Sequence, residues 1–91
     1  MKIHVTARFE KLAKKLHRNQ IKLIEDAIEA VVKNPAVGES KKGDLMGVKI
    51  YKFHIYHQLV LLAYLYNEEE QNITFLSFGS HENFYRDLKK S

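Results

Sequence analysis

The sequence predicts an α+β domain in the element order β-α-α-β-β-β-α, an antiparallel sheet with a helical hairpin packed on one face. Two observations carry this. As far as Lys33 the apolar residues recur mostly with the period of a helix, whereas beyond Gly47 they crowd into β-branched and aromatic runs separated by turn residues. Helices segregated from a meander of strands leave one sheet face covered and the other partly open.

Each element has its own pattern. "MKIHV" puts Ile3 and Val5 on one parity, as in an edge or terminal strand, and Thr6 follows as an N-cap. In "TARFEKLAKKLHRN", Phe9, Leu12, Ala13 and Leu16 stand at i, i+3, i+4 and i+7, one stripe of an amphipathic helix. Lys11, Lys14, Lys15, His17 and Arg18 fill the rest of its circumference. A second stripe, with Asn19 as N-cap, runs through Ile21, Ile24, Ile28, Val31 and Val32. It stops at Asn34 because a residue before proline avoids the α region. The tight joint between the two stripes implies a helical hairpin. "AVGESKKGDLMG", with three glycines and scattered apolar residues, reads as a loop. "VKIYKFHIYHQLVLLAYLYN" is interrupted from Tyr56 to Gln58 and reads as a hairpin of two strands. "NEEEQN" is a second turn, "ITFLSFG" a third strand closed by Gly79, and the last ten or so residues a short helix docked by Phe84 and Leu88.

A chain of 91 residues builds one core, so residues 1–91 are expected to form a single domain without repeats or linkers. Its 45% hydrophobic content and single proline exclude a disordered or low-complexity chain. Without cysteine there is neither a disulfide framework nor a thiolate metal site. "LVLLAYLY" is too short to span a bilayer and the N-terminus carries no basic-then-apolar leader, so a cytoplasmic protein with no membrane partner is expected. Fifteen Lys/Arg against eleven Asp/Glu give a net charge of +4, which suits a polyanionic partner. The plainer reading of so modest an excess is a soluble basic surface.

Side chains alternate between the faces of a strand, so in "VKIYKFHI" Lys52 and His54 share a face that excludes Phe53 and Ile55. The apolar pair should point to the helices, leaving Lys52 and His54 side by side on the open face, with Lys49 on the opposite parity nearer the loop. A lysine and a histidine on such a face most often only keep it soluble. Near the C-terminus His81 follows the strand-ending glycine, and Tyr85 stands one helical turn beyond it. Both residue types also serve as half-buried packing with a polar tip. Together Lys52, His54, His81 and Tyr85 would supply a cation for phosphate, groups for proton transfer and an aromatic to stack on a base. Those are the parts that RNA cleavage by its own 2′-hydroxyl requires, without metal. His54, His57 and His81 show no metal-ligand spacing, and neither a glycine-rich phosphate loop nor a strand-to-helix serine elbow is present, so no cofactor is expected.

With these residues in place the chain resembles toxins of the RelE/ParE superfamily of bacterial type II toxin-antitoxin systems. The likeness covers nearly the whole length, in the element order and in "KKGDLMGVKIYKFHI", "LVLLAYLY" and "LSFGSHENFYRDLKK". The resemblance implies one of two activities. RelE-like members are RNases that cut mRNA in the ribosomal decoding site, using basic residues on the central sheet and an aromatic near the C-terminus. ParE-like members poison DNA gyrase and generally lack that set. Carried over by position, Lys52 and His54 fall where RelE-like toxins place strand lysines, His81 where they place a basic residue after the last strand, and Tyr85 where they place a terminal tyrosine. One departure stands out: the phosphate-binding arginine of the second meander strand is replaced by the run Leu59, Val60, Leu61. Lys49 or Arg86 would have to take over its role.

The resemblance and the residues together imply a ribosome-dependent mRNA endonuclease toxin. Lys52 would stabilise the phosphate, His54 and His81 would share the proton transfers and Tyr85 would stack on or orient the nucleotide. Lys49, Arg86 and the basic helix residues Lys14, Lys15 and Arg18 are expected to bind RNA, the helix docking on the ribosome. The alternatives are a non-enzymatic gyrase inhibitor and a degenerate module that only pairs with an antitoxin. In each case the resemblance implies a cognate antitoxin, acidic and partly disordered, that wraps the basic surface and folds on binding.

Overall fold

In the computed structural model, which describes residues 1–43 and 47–80, the chain runs β1 (Lys2–Val5), α1 (Ala7–Lys14), α2 (Arg18–Lys33), a 3₁₀ turn (Pro35–Val37), β2 (Glu39–Ser40), β3 (Lys49–Ile55), β4 (Gln58–Asn67) and β5 (Asn72–Ser80). The expected C-terminal helix, with Phe84 and Leu88, lies outside the described residues. Thr6 caps α1 as its position predicts. Its hydroxyl accepts from the Phe9 N–H at 3.1 Å and donates to the Leu76 carbonyl at 2.7 Å, so one side chain both starts the helix and ties it to the sheet.

The second helix begins two residues earlier than an Asn19 cap implies. Its N-cap is His17, whose N–H donates to Gln20 Oε1 at 2.9 Å. A glutamine three positions into the helix that reaches back to the cap satisfies an otherwise orphan donor, and Asn19 then has no capping role. The Asn19 amide instead donates to the Tyr56 hydroxyl and ties the start of α2 to the tip of the β3–β4 hairpin. Tyr56 carries that two-residue turn with a left-handed φ of 57°.

The strands form one sheet in the order β1-β5-β4-β3-β2. The meander β3-β4-β5 is antiparallel as expected, but β1 adds to β5 in parallel, Lys2 opposite Asn72 and Val5 opposite Phe75, so the sheet is mixed. The loop expected at "AVGESKKGDLMG" also contains a short edge strand: Glu39 pairs with Ile50 and Ser40 with Lys49. Two residues are too few to show a period of two, and β2 exists because β3 offers it an edge. Between Ala63 and Tyr64 the β4–β5 register shifts, Ala63 facing Ser77 and Tyr64 facing Phe75. Leu76 is the extra residue of this bulge, and its carbonyl is the one that Thr6 takes.

Both helices cover the same face. Phe9, Ile24, Ala27 and Val31 pack there on Ile55, Val60, Leu62, Tyr64, Ile73, Phe75 and Phe78, with Tyr51 and Phe53 at the margin. Phe9 meets Phe78 edge-on at 5.1 Å between ring centroids. The opposite face carries a smaller cluster of Ile50, Leu61 and Ala63, with Val48, Leu59 and Leu76 against it.

Tyr64 is the one large core residue with a polar end among the described residues. The side chain has no exposed surface; its hydroxyl donates to the Pro35 carbonyl at 2.7 Å and accepts from the Gly38 N–H at 2.9 Å. The chain leaving α2 is thereby fastened to the centre of the sheet just before β2. Gly38 has a φ of −73°, which suits any residue, so space alone requires glycine. A Cβ there would lie 2.8 Å and 2.9 Å from Cε1 and Cζ of Tyr64. Burial raises the phenol's pKa, partly opposed by the Gly38 N–H.

Two outcomes are expected. Tyr64→Phe leaves a buried N–H and a carbonyl without their partner and should cost about 1–3 kcal/mol in urea unfolding. Because the folded protein holds the phenolic proton more tightly than the unfolded chain, this stabilisation is complete below pH ~10 and is lost above it. The stability gap between wild type and Tyr64→Phe should accordingly narrow in alkali. Gly38→Ala should lower stability by about 1–3 kcal/mol through overpacking against the ring, read as a lower urea midpoint at unchanged slope.

Candidate active site

Lys52 and His54 stand two residues apart on β3, both exposed and both on the face away from the helices. Strand geometry separates such neighbours by roughly 6–7 Å along the chain. Their cross-strand partners on β4 are Leu61 and Leu59. Leu61 has no exposed surface and belongs to the small apolar cluster, so the two polar side chains rise beside a buried apolar patch rather than from an all-polar surface. The expected alternation therefore holds: Tyr51, Phe53 and Ile55 go to the helices, Lys52 and His54 to the other side.

Lys52 does not stand alone. Glu39 of β2 lies opposite Ile50 and so on the same face, with Oε2 3.9 Å from Lys52 Nζ and Oε1 3.6 Å from Lys41 Nζ. Neither Glu39 nor Lys41 stands out in the sequence, because the segment holding them reads as a charged loop. Only the pairing of β2 with β3 places Glu39 beside Lys52, with Lys41 on the carboxylate's other oxygen.

The remaining sequence-predicted residues divide by place. Lys49 is half-buried on the opposite parity and donates from Nζ to Ser40 Oγ at 2.9 Å, so it does not join Lys52 on the far face. Lys14 ends α1, Lys15 caps it and Arg18 opens α2; all three are exposed, on the helical side of the sheet. The fold thus sets these basic helix residues and the Lys52–His54 pair on opposite sides. His81, Tyr85 and Arg86 lie outside the described residues. Among the described residues no group of three His, Asp or Glu is placed to hold a metal ion, and no helix is long and apolar enough to cross a membrane.

The model of the ParE-like toxin family of type II bacterial toxin-antitoxin systems matches residues 3–89. The protein belongs to this toxin family. Among solved structures, the toxin is similar to the free E. coli toxin RelE in a mutant form, at 18% identity over 98% of this chain and 94% of that one, with a TM-score of 0.73. It is similar to the intact E. coli RelBE toxin-antitoxin complex at 18% identity, covering 89% of this chain and 96% of that one, with a TM-score of 0.69. A YoeB/ParE toxin from Agrobacterium tumefaciens matches at 19% identity, over 89% of this chain and 99% of that one, with a TM-score of 0.70. At such identities the likeness is one of fold. A search of curated protein sequences finds no significant match. The protein is accordingly a toxin of the ParE-like family of type II systems, with a mixed α+β fold like that of RelE.

Because Lys52 and His54 are exposed, their loss should leave the fold intact. Lys52→Ala and His54→Ala are each expected to unfold within about 0.5 kcal/mol of wild type in urea. A larger loss would mean that they serve packing.

Proposed function

We propose that the toxin is a ribosome-dependent mRNA endonuclease. The observation that carries this reading is the pair Lys52 and His54, exposed together on a strand face beside a buried apolar patch. A phosphodiester set against them has a cation at phosphorus and an imidazole near one of its ester oxygens. The 2′-oxygen attacks phosphorus as its proton leaves to a base, and the bond to the 5′-oxygen breaks as that oxygen takes up a proton. The products are a 2′,3′-cyclic phosphate and a free 5′-hydroxyl. Lys52 offsets the charge that builds on the phosphoryl oxygens, and the His54 imidazole carries one of the proton transfers. From their positions in the sequence, His81 carries the other transfer, Tyr85 stacks on the nucleotide and Arg86 binds phosphate. Lys14, Lys15 and Arg18 meet the ribosome through the helical side. The toxin acts in the cytoplasm and is silenced by a cognate antitoxin; RelE and its relatives are seen with antitoxins in the structures it resembles.

One observation favours a second reading. Leu61, opposite Lys52 in the strand where the resemblance implies a phosphate-binding arginine, is fully buried, and the half-buried Lys49 does not replace it on that face. That is the pattern of a toxin without the catalytic set, which would act on DNA gyrase.

Induced expression in bacteria separates the two. The nuclease reading expects growth arrest with new mRNA 5′ ends phased to codons, and loss of both by about 10²-fold or more in Lys52→Ala, His54→Ala or His81→Ala. Arrest that persists in all three variants, with intact mRNA and induction of the DNA-damage response, would overturn it in favour of gyrase.

A further inference from the structure

We propose that Glu39 is an internal counter-anion of the candidate site, occupying Lys52 until a phosphate displaces it and so setting how strongly a polyanion must bind to engage the site. This inference rests on the reading of Lys52 as the phosphate-binding cation.

Four features place Glu39 in that role. Its carboxylate spans two ammonium groups on one face, Oε1 toward Lys41 and Oε2 toward Lys52. Distances of 3.6 Å and 3.9 Å lie outside hydrogen-bonding range, so attraction draws the groups together without locking them. Glu39 and Lys52 are both substantially exposed, at 62% and 49% of their side-chain surface, which leaves the pair open to exchange with solvent and ligand. Its backbone, in contrast, is firmly set. Glu39 follows Gly38, whose N–H is bound to the buried Tyr64 hydroxyl, and it pairs with Ile50 across the β2–β3 ladder. A loosely held side chain on a fixed main chain suits a group that must move aside and return to the same place.

The consequence is competition. A phosphate that reaches Lys52 must swing the carboxylate away or accept its repulsion. A single weakly held anion gains little by doing so, whereas a nucleic-acid strand that also contacts other basic residues offsets the cost. Glu39 is then a positioning and selectivity residue, and removing its charge should tighten polyanion binding about two- to fivefold through Lys52.

Heparin serves as the probe, since its retention reads basic-surface affinity without ribosome, gyrase or cleavage. Glu39→Gln adds a charge unit, and so does Glu69→Gln in the exposed β4–β5 turn, which makes the latter the control for net charge. Glu39→Gln should elute at higher salt than Glu69→Gln, and the difference should vanish when both are placed on Lys52→Ala. Equal elution in the wild-type background, or a difference that survives Lys52→Ala, would overturn the assignment. Retention and growth arrest are separate readouts. If Lys52→Ala remains fully toxic while the heparin difference holds, the nuclease reading fails and the ion-pair competition stands; the reverse pattern removes Glu39 alone.

Discussion

A single buried phenol fixes the path of the chain between the helical layer and the outer sheet. The Tyr64 ring fills the centre of the core beside Phe75, at 6.0 Å between centroids, while its hydroxyl meets one acceptor and one donor of the turn after α2. The Gly38 N–H is buried and the Pro35 carbonyl partly so, and the phenol serves as their partner in place of solvent. The outer edge of the sheet depends on that junction. Gly38 leads directly into β2, β2 lies along β3, and β3 carries Lys52 and His54. An error in the turn would pass to the register of the edge strand, and from there to the charges around Lys52.

The two sides of the sheet solve different problems with the same strands. On the helical side the packing is aromatic and deep, which holds β3, β4 and β5 in register. On the far side a small patch around Leu61 keeps water from the base of the polar side chains without burying their tips. Charges beside a low-dielectric floor act on a ligand more strongly than the same charges over water. Strand alternation places the charges and the patch on the same face.

Much of this was legible in the sequence because it rests on local periodicity. The stripe of Phe9, Leu12 and Ala13, the Thr6 cap, the interruption at Tyr56 and the shared parity of Lys52 and His54 each arise from local spacing. The features that escaped depend on partners distant in the chain or on a competing neighbour. β2 has too few residues to show a pattern, and Glu39 acquires meaning only from its neighbour on β3. His17 displaces Asn19 as cap because Gln20 answers it. Tyr64 sits within an apolar run where nothing marks its hydroxyl as different from that of Tyr66. The parallel docking of β1 was likewise invisible, since a short apolar strand fits either direction.

That parallel docking governs when the molecule can be completed. Lys2 pairs with Asn72, and the hydroxyl that starts the first helix finds its carbonyl 70 residues later. Contacts so far apart in the chain come late in folding, because the loop between them must close before they return any energy. During synthesis at about 5–20 residues per second, the first strand waits roughly 4–14 s for the one it joins. The helices and the β3–β4 hairpin emerge earlier, with one side of the nascent sheet still unpaired. A nascent chain therefore carries Lys52 and His54 before it has the edge that closes their sheet, and the finished surface exists only once the last strand has left the ribosome.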